Sequence, residues 1–348
     1  MDSPHEWGLV MGLARPVFVL LGALWMGCQV AEAQESLTFV SWGGSTQSAQ
    51  QKAWAEPFTR ATGIAVKQAG PTDYAAFKAM VESGEVTWDV VDVEPDFALR
   101  AGREGLLEPM DFKLIAQPQI DPRFVTLYAV GSFYFSFVLG YNSERLPAQP
   151  RNWAALFDTD NFPGKRALYK WPSPGVLEMA LLADGVDPQR LYPLDLDRAF
   201  AKLEQIKADI LWWDGGEESQ RLLTSGEASL GMFWNGRVNA LQQSGAPVGI
   251  GWQQNLVSGD FLVIPRGSKN AAAAKRFLGF ASSPQAQADF AILSGYAPVN
   301  LESQGKVPAV LADNLPSAHS DSQVTLDFKY WSKHGEAIAE RWQAWQRQ

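Results

Sequence analysis

Cysteine is nearly missing from this chain. Its 348 residues contain one, Cys28, and that one sits in an apolar run near the start. Beyond residue 33 there is none, which excludes disulfides, thiol catalysis and cysteine-based metal sites from the body of the protein. Histidine is almost as scarce. Of three, only His319 and His334 lie beyond residue 33, both near the far end of the chain. A Ser-His-Asp triad or a histidine-rich metal centre is hard to assemble from them. Neither a G-x-S-x-G nor a phosphate-loop pattern is present. No basic patch stands out either, and the formal charge is -9, which argues against nucleic acid as a partner. No internal repeat or low-complexity segment is evident. No cofactor is expected.

What the chain does have is tryptophan, fourteen of them, in an otherwise ordinary composition with 46% hydrophobic and 19% charged residues. Its length suits two domains of roughly 150 residues each. Aromatics of this number serve a core, and they also make walls for small organic ligands.

The first 33 residues read as a signal peptide rather than as fold. Val17 to Val30, VFVLLGALWMGCQV, is an apolar run of 14 residues, preceded by Arg15 and followed by Ala31-Glu32-Ala33. That is the n-region, h-region and small-x-small site of a secretory leader, with cleavage after Ala33. The run is short for a membrane span. Two acids in the opening MDSPHEWGLV are unusual for an n-region, so Met11 is a candidate start. Acylation of Cys28 is the less favoured alternative, because Trp25 and Met26 are bulky for a lipoprotein signal. Export to a periplasm is the expected destination.

The body of the chain alternates strand and helix patterns. Leu37–Val40 reads as a strand and 45–62 as a helix that Pro57 kinks or splits, with Gly63 as its C-cap. A second strand spans 64–67. Asp73 can cap a helix carrying Tyr74, Phe77, Met80 and Val81 on one face. Trp88–Val93, WDVVDV, is a buried-strand pattern, and 97–100 begins another helix. This β-α-β-α-β order implies a parallel sheet with helices on its faces, with ligands beyond the carboxyl ends of the strands. Trp42–Ser45 and Glu94–Asp96 lie at such ends. A long β-rich run at 133–141 and a Pro-containing connector at 142–152 lead into a second α/β series. It comprises a strand at 166–169, helices at 176–183 and 197–210, a strand at 229–234 and another at 259–265.

The segment FVSWGGSTQSAQ, residues 39–50, concentrates the functional question. An apolar strand ends in Trp42, and Gly43, Gly44 and Ser45 lead into a helix. Trp42 is either a cleft wall or core. The glycines either let backbone N–H groups approach a ligand at a helix N-terminus or only make a turn. Carboxylates are numerous, so a secreted carboxylate-dependent hydrolase stands as the rival to a binding protein.

A set of motifs in fixed order then carries a resemblance. LTFVSWGG, FTRATGIAV, WDVVDVEP, REGLLEPMD, LGYNSE, EASLGMFWNGR, LVIPRGSKNAAAAKRFLGFASSPQAQADFA and GYAPVN span residues 36 to about 303. Together they resemble the extracellular solute-binding receptors of ABC importers, spermidine/putrescine type. The resemblance implies an α/β fold of two lobes, each a mostly parallel sheet flanked by helices, with hinge strands crossing between them. The first lobe would comprise 34–137 plus 262–303 and the second 138–261 plus 304–348. It implies a monomer that closes on a small amine-containing ligand and delivers it to an ABC permease and ATPase complex.

The resemblance also implies site residues. Trp42, Trp234 and Tyr296 match aromatic ligand walls, and Asp260 matches a carboxylate that takes a ligand amine. Glu94 and Asp96 are placed to bind an amine, cap the following helix or pair with Arg237. The departures carry more information. Where polyamine receptors have acidic residues before a helix, this chain has Trp171, Pro172, Pro174 and Gly175. After WNG stands Arg237, whose planar fork suits a carboxylate and opposes a second amine. Read outward, Arg237 is only a helix-start residue. Read inward, Arg237 and Asp260 fit a ligand with one anionic and one cationic end, such as 4-aminobutyrate, ahead of putrescine or spermidine.

Overall fold

The computed structural model describes Gly8 and residues 35–172 and 174–348. Apart from Gly8, the expected leader at 1–33, with Met11 and Cys28, lies outside the described residues. No helix among the described residues is long and apolar enough to cross a membrane.

The first flank of the fold starts with β1 (Ser36–Val40) and the helices α1 (Gly44–Gln50) and α2 (Glu56–Thr62). A π turn, Gln51–Ala55, joins the two helices without a break. Pro57 accounts for it: proline has no N–H to return to the carbonyl four residues earlier, and the wider π spacing absorbs the missing bond. Gly63 ends α2 with φ 76°, the left-handed conformation that favours glycine. Next come β2 (Ala65–Ala69), α3 (Tyr74–Ser83), β3 (Val90–Val93) and α4 (Pro95–Arg103). Asp73 caps α3 by accepting the N–H of Ala76.

The long strand β4 (Ala129–Asn142) leads to the second flank: β5 (Lys165–Tyr169), α5 (Val176–Ala183), α6 (Leu196–Glu204), β6 (Ile210–Trp213), α7 (Gly216–Thr224), β7 (Ala228–Trp234) and α8 (Asn235–Gln243). The expected helix over 197–210 is shorter than its pattern, since α6 ends at Glu204 and Ile210 opens β6. A second long strand, β8 (Val248–Val263), returns. It is followed by α9 (Ala271–Ala281), α10 (Pro284–Ser294), α11 (Ala309–Ala312), β9 (Val324–Thr325) and α12 (Phe328–Gln346).

The strands form one mixed sheet in the order β2-β1-β3-β8-β4-β7-β5-β6, with β9 added beside β8. Its two flanks are parallel: β2-β1-β3 on one side, β7-β5-β6 on the other. Between them β8 and β4 run antiparallel to each other and to the flank strands they meet, while β9 pairs parallel to β8. The run at 133–141 therefore belongs to a strand that stitches the flanks together. Trp54, Trp153, Trp213, Trp331 and Trp342 are fully buried, so part of the tryptophan excess is core. The rest includes Trp42, Trp171 and Trp234, which face a cavity between the flanks.

Candidate functional site

The carboxyl ends of the parallel strands converge on one cavity of about 660 Å³. Trp42 follows β1, Glu94 follows β3, Trp171 follows β5, Asp214 follows β6 and Trp234 ends β7, and all five line it. This is the position that an open α/β sheet reserves for ligands. The floor is aromatic. Phe133, Phe135 and Phe137 alternate along β4 and so point to the same face. Tyr296 stacks on Phe133 at 5.0 Å, and Trp234 packs near Tyr169 (5.5 Å) and edge-on to Trp213 (4.9 Å).

One wall is acidic. Asp260, on β8 opposite Phe133, is buried and accepts a 2.9 Å hydrogen bond from Trp42 Nε1. Burial, with Asp92 and Glu94 nearby, holds its carboxyl well above the usual carboxylate range, and the Trp42 bond works the other way. Glu94 Oε2 accepts from the Tyr74 hydroxyl at 3.2 Å, while the Glu94 N–H donates to that hydroxyl at 3.0 Å. Burial and then Asp96 push the Glu94 carboxyl up to about 8. Asp96 is raised by burial and pulled back by Arg100, and its Oδ1 is buried with no partner among the described residues. Behind this wall Asp92 is fully buried and accepts from Gln50 Nε2, Ser132 Oγ and Ser41 Oγ. Burial pushes it up to about 7.

The other wall offers donors. Arg237 lies in the first turn of α8, directed inward. Its Nη1 donates to Ser45 Oγ at 2.6 Å, and the guanidinium also meets the Tyr296 hydroxyl. Its Nε is buried without a partner among the described residues, and so is Trp234 Nε1. The guanidinium lies so close over Gly216, at the start of α7, that a Cβ there would stand 2.3 Å from Nε. Gly216 therefore makes room for the arginine. No ion pair joins Arg237 to a carboxylate among the described residues, Glu94 and Asp96 included.

Of the residues singled out from sequence, Trp42, Glu94, Asp96, Trp171, Trp234, Arg237, Asp260 and Tyr296 line this cavity, while Gly43, Gly44 and Ser45 lie beside it without lining it. Trp42 is a half-buried wall that also holds Asp260 in place. Gly43 and Gly44 adopt φ of 75° and 59°, but the Gly43 N–H is already taken by Gln47 Oε1 at 2.9 Å. Ser45 accepts from Arg237. Glu94 precedes α4 without capping it through its side chain. Trp171 is 47% exposed at the rim, with Lys170 Nζ 5.4 Å from its ring centroid. Sequence reasoning did not place Tyr74, Arg100, the β4 phenylalanines or α12 in the site, yet all line the cavity, α12 through Trp331, Gly335, Glu336 and Ala339. The alternation in FYFSF was the readable signal for the phenylalanines. For α12 nothing local signalled it.

A cavity at the strand ends of two parallel flanks, lined by aromatics and polar on opposite walls, is the site of a solute-binding protein. The chain belongs to the family of bacterial extracellular solute-binding proteins, which it matches over residues 53–315. It is similar to the gamma-aminobutyric acid-binding protein of Pseudomonas aeruginosa, 37% identical over 327 residues that cover 90% of this chain and 92% of that one. Spermidine/putrescine-binding periplasmic protein 1 of Haemophilus influenzae is 25% identical over 298 residues, 81% of each chain. Among solved structures, the Atu4243-GABA receptor matches with a TM-score of 0.87 at 57% identity, covering 90% of this chain and 98% of that one.

Proposed function

We propose that the protein is the periplasmic receptor of an ABC importer and captures a short ω-amino acid, 4-aminobutyrate foremost, without transforming it. The observation that carries the ligand reading is the polarity of the cavity. Arg237 Nε and Trp234 Nε1 are donors without partners on one wall, and Asp96 Oδ1 is an acceptor without one on the other, beside Asp260 and Glu94. Buried polar groups left unpaired are costly, so a ligand that supplies a carboxylate to the first set and an ammonium to the second gains most. Aromatic faces such as Trp42 and Tyr296 add cation–π attraction for the ammonium end.

Putrescine and spermidine are the second reading, favoured by the number of acids on one wall and by the polyamine-binding relative. A diamine needs a carboxylate at both ends, and on the far side Arg237 opposes a second amine while the nearby Asp214 is half-exposed and paired with Lys170. Capture would proceed by closure of two lobes, 34–137 plus 262–303 against 138–261 plus 304–348, as the chain threads β4 and β8 between the flanks. The acting species would be a monomer freed of its leader, handing the ligand to a permease and ATPase complex.

Calorimetric titration of the purified protein with 4-aminobutyrate, putrescine and spermidine tests this. Saturable binding of 4-aminobutyrate, recovered chemically unchanged by NMR, is the expected result. Tighter binding of a polyamine would overturn the ω-amino-acid reading, and turnover of any of the three would overturn the receptor.

A further inference from the structure

Helix α12 is mounted firmly on the β7-β5-β6 flank. Trp331 Nε1 donates to Glu178 Oε1 at 2.6 Å, and the same fully buried carboxylate accepts from the Tyr192 hydroxyl and the Gly175 N–H. Trp342 Nε1 donates to the carbonyl of Lys170 at 2.9 Å, Trp345 Nε1 to Glu204 Oε2 at 2.7 Å, and Lys207 Nζ to the carbonyl of Trp345 at 2.8 Å. From that mount α12 packs against α4, which follows β3 in the opposite flank. There Arg103 holds it with a two-point grip: Nη1 to Ser332 Oγ at 3.0 Å and Nη2 to the Ser332 carbonyl at 2.7 Å.

The two helices also bracket the cavity. Pro95, Asp96 and Arg100 reach it from α4, and Trp331 and Glu336 from α12. Arg103 and Ser332 do not line it. A separate set of cross-flank contacts behaves differently. Arg237 with Ser45, and Asn235 Nδ2 with the Gly295 carbonyl at 3.0 Å, involve ligand-site residues or their immediate neighbours. Neither Arg103 nor Ser332 lines the cavity itself, although Ser332 adjoins Trp331, which does.

We infer that the α4–α12 seam, pinned by Arg103 on Ser332, is a ligand-independent clasp that sets how readily the cleft closes and so tunes affinity from outside the binding site. The inference rests on the lobe closure proposed above. A receptor whose competent conformation is only partly populated binds with its intrinsic affinity reduced by that fraction. A contact that favours closure without touching ligand raises the fraction for every ligand alike. Because α4 also carries Asp96, the grip sets the distance between the acidic wall and α12.

The test uses a distance read without ligand. No cysteine occurs beyond residue 33, so Glu85→Cys, just before β3, and Gln189→Cys, between α5 and α6, give one label pair on exposed positions. Pulsed electron-resonance distances are recorded for this protein and for the same protein with Arg103→Ala, each with and without 4-aminobutyrate. Arg103→Ala should broaden the ligand-free distribution toward an open population and weaken 4-aminobutyrate about tenfold, the scale of losing hydrogen bonds from a charged donor. A folded Arg103→Ala protein with an unchanged distribution overturns the clasp. If that variant fails to fold, Ser332→Ala, which keeps the carbonyl partner, should show the same broadening at smaller amplitude, and its absence overturns the clasp equally. Failure of the parent protein to bind 4-aminobutyrate would count against the ligand reading, while the ligand-free distances still decide the clasp.

Discussion

The two walls of the cavity solve opposite problems. The wall built from α7, α8 and the end of β7 presents donors with too few acceptors: Arg237 Nε and Trp234 Nε1 have none among the described residues. The wall built from β3, α4 and β8 presents carboxylates with too few cations. Asp260, Glu94 and Asp96 are all pushed toward the neutral form, chiefly by burial. Neither wall is served by the other, since Arg237 pairs with hydroxyls and with no carboxylate among the described residues. The difference shows that the charge of a site is carried by its geometry. A chain of net charge -9 holds its guanidinium apart from three nearby acids, and that separation defines the dipolar ligand it suits.

The sharpest way to break this comparison is to remove the donor wall. Arg237→Ala should cost 4-aminobutyrate about 2–5 kcal/mol, as when one partner of a buried charge pair is truncated. Putrescine binding should hold or rise, because a repulsive cation is gone. Paired titrations of both ligands read the sign, and equal losses for both would erase the distinction between the walls.

Neutralising the acid wall should have a smaller effect. Asp260→Asn keeps an acceptor for Trp42 Nε1 but loses the charge, so an amine bound there should weaken by about 1.5–3 kcal/mol. Thermal stability should hold or rise, since the variant removes a buried carboxyl that the fold does not pair with a cation. A fall in both stability and affinity would make Asp260 a structural residue.

Gly216→Ala sharpens the comparison without deleting any charge. The new methyl collides with the far end of Arg237, which is flexible, so the fold should tolerate it while the guanidinium is displaced. A loss near tenfold for 4-aminobutyrate, about 1.4 kcal/mol, with unchanged melting temperature is the expected pair of results. Unchanged affinity would show that the guanidinium position is not selected.

The last effect is in pH. The folded protein keeps protons on Glu94, up to a pKa of about 8, and on Asp92, up to about 7, that the unfolded chain loses near pH 4. Fewer protons are then bound by the unfolded state, so the ligand-free protein should lose stability as pH rises from about 4 through 8. An ammonium favours the ionised carboxyls, so its binding should release protons and should tighten over the upper part of that window. Titration in two buffers of different ionisation enthalpy measures the release. Proton uptake would reverse the assignment of the cationic end.

Much of this was readable before any coordinates. Glycine at 63 and aspartate at 73 announce a C-cap and an N-cap by chemistry that acts within one turn, and both are found. α5 follows its pattern because an apolar helix bounded by Gly175 and Asp184 has few alternatives. β6 and α7 were not readable. ILWW is a short apolar run continuous with the helical pattern before it, so periodicity could not mark where α6 stops. In the site, Trp42 stood at a strand end where side chains reach a cleft, whereas Trp234, Arg237 and Asp260 were legible through the resemblance to the receptor family and the departures from it. Gly216 and α12 escaped because their roles depend on what lies against them from distant parts of the chain, which no local spacing encodes.

The stranded donors and acceptors also bear on signal fidelity. A transporter that reads the closed shape of its receptor is exposed to false positives from closure without cargo. In this cavity Arg237 Nε, Trp234 Nε1 and Asp96 Oδ1 are already buried with no partner among the described residues, and closure without cargo would leave them so. A poorly matched solute would leave some of them in the same condition. On the closure proposed above, the unmet bonds would act as an error check that a molecule of the right length and polarity passes.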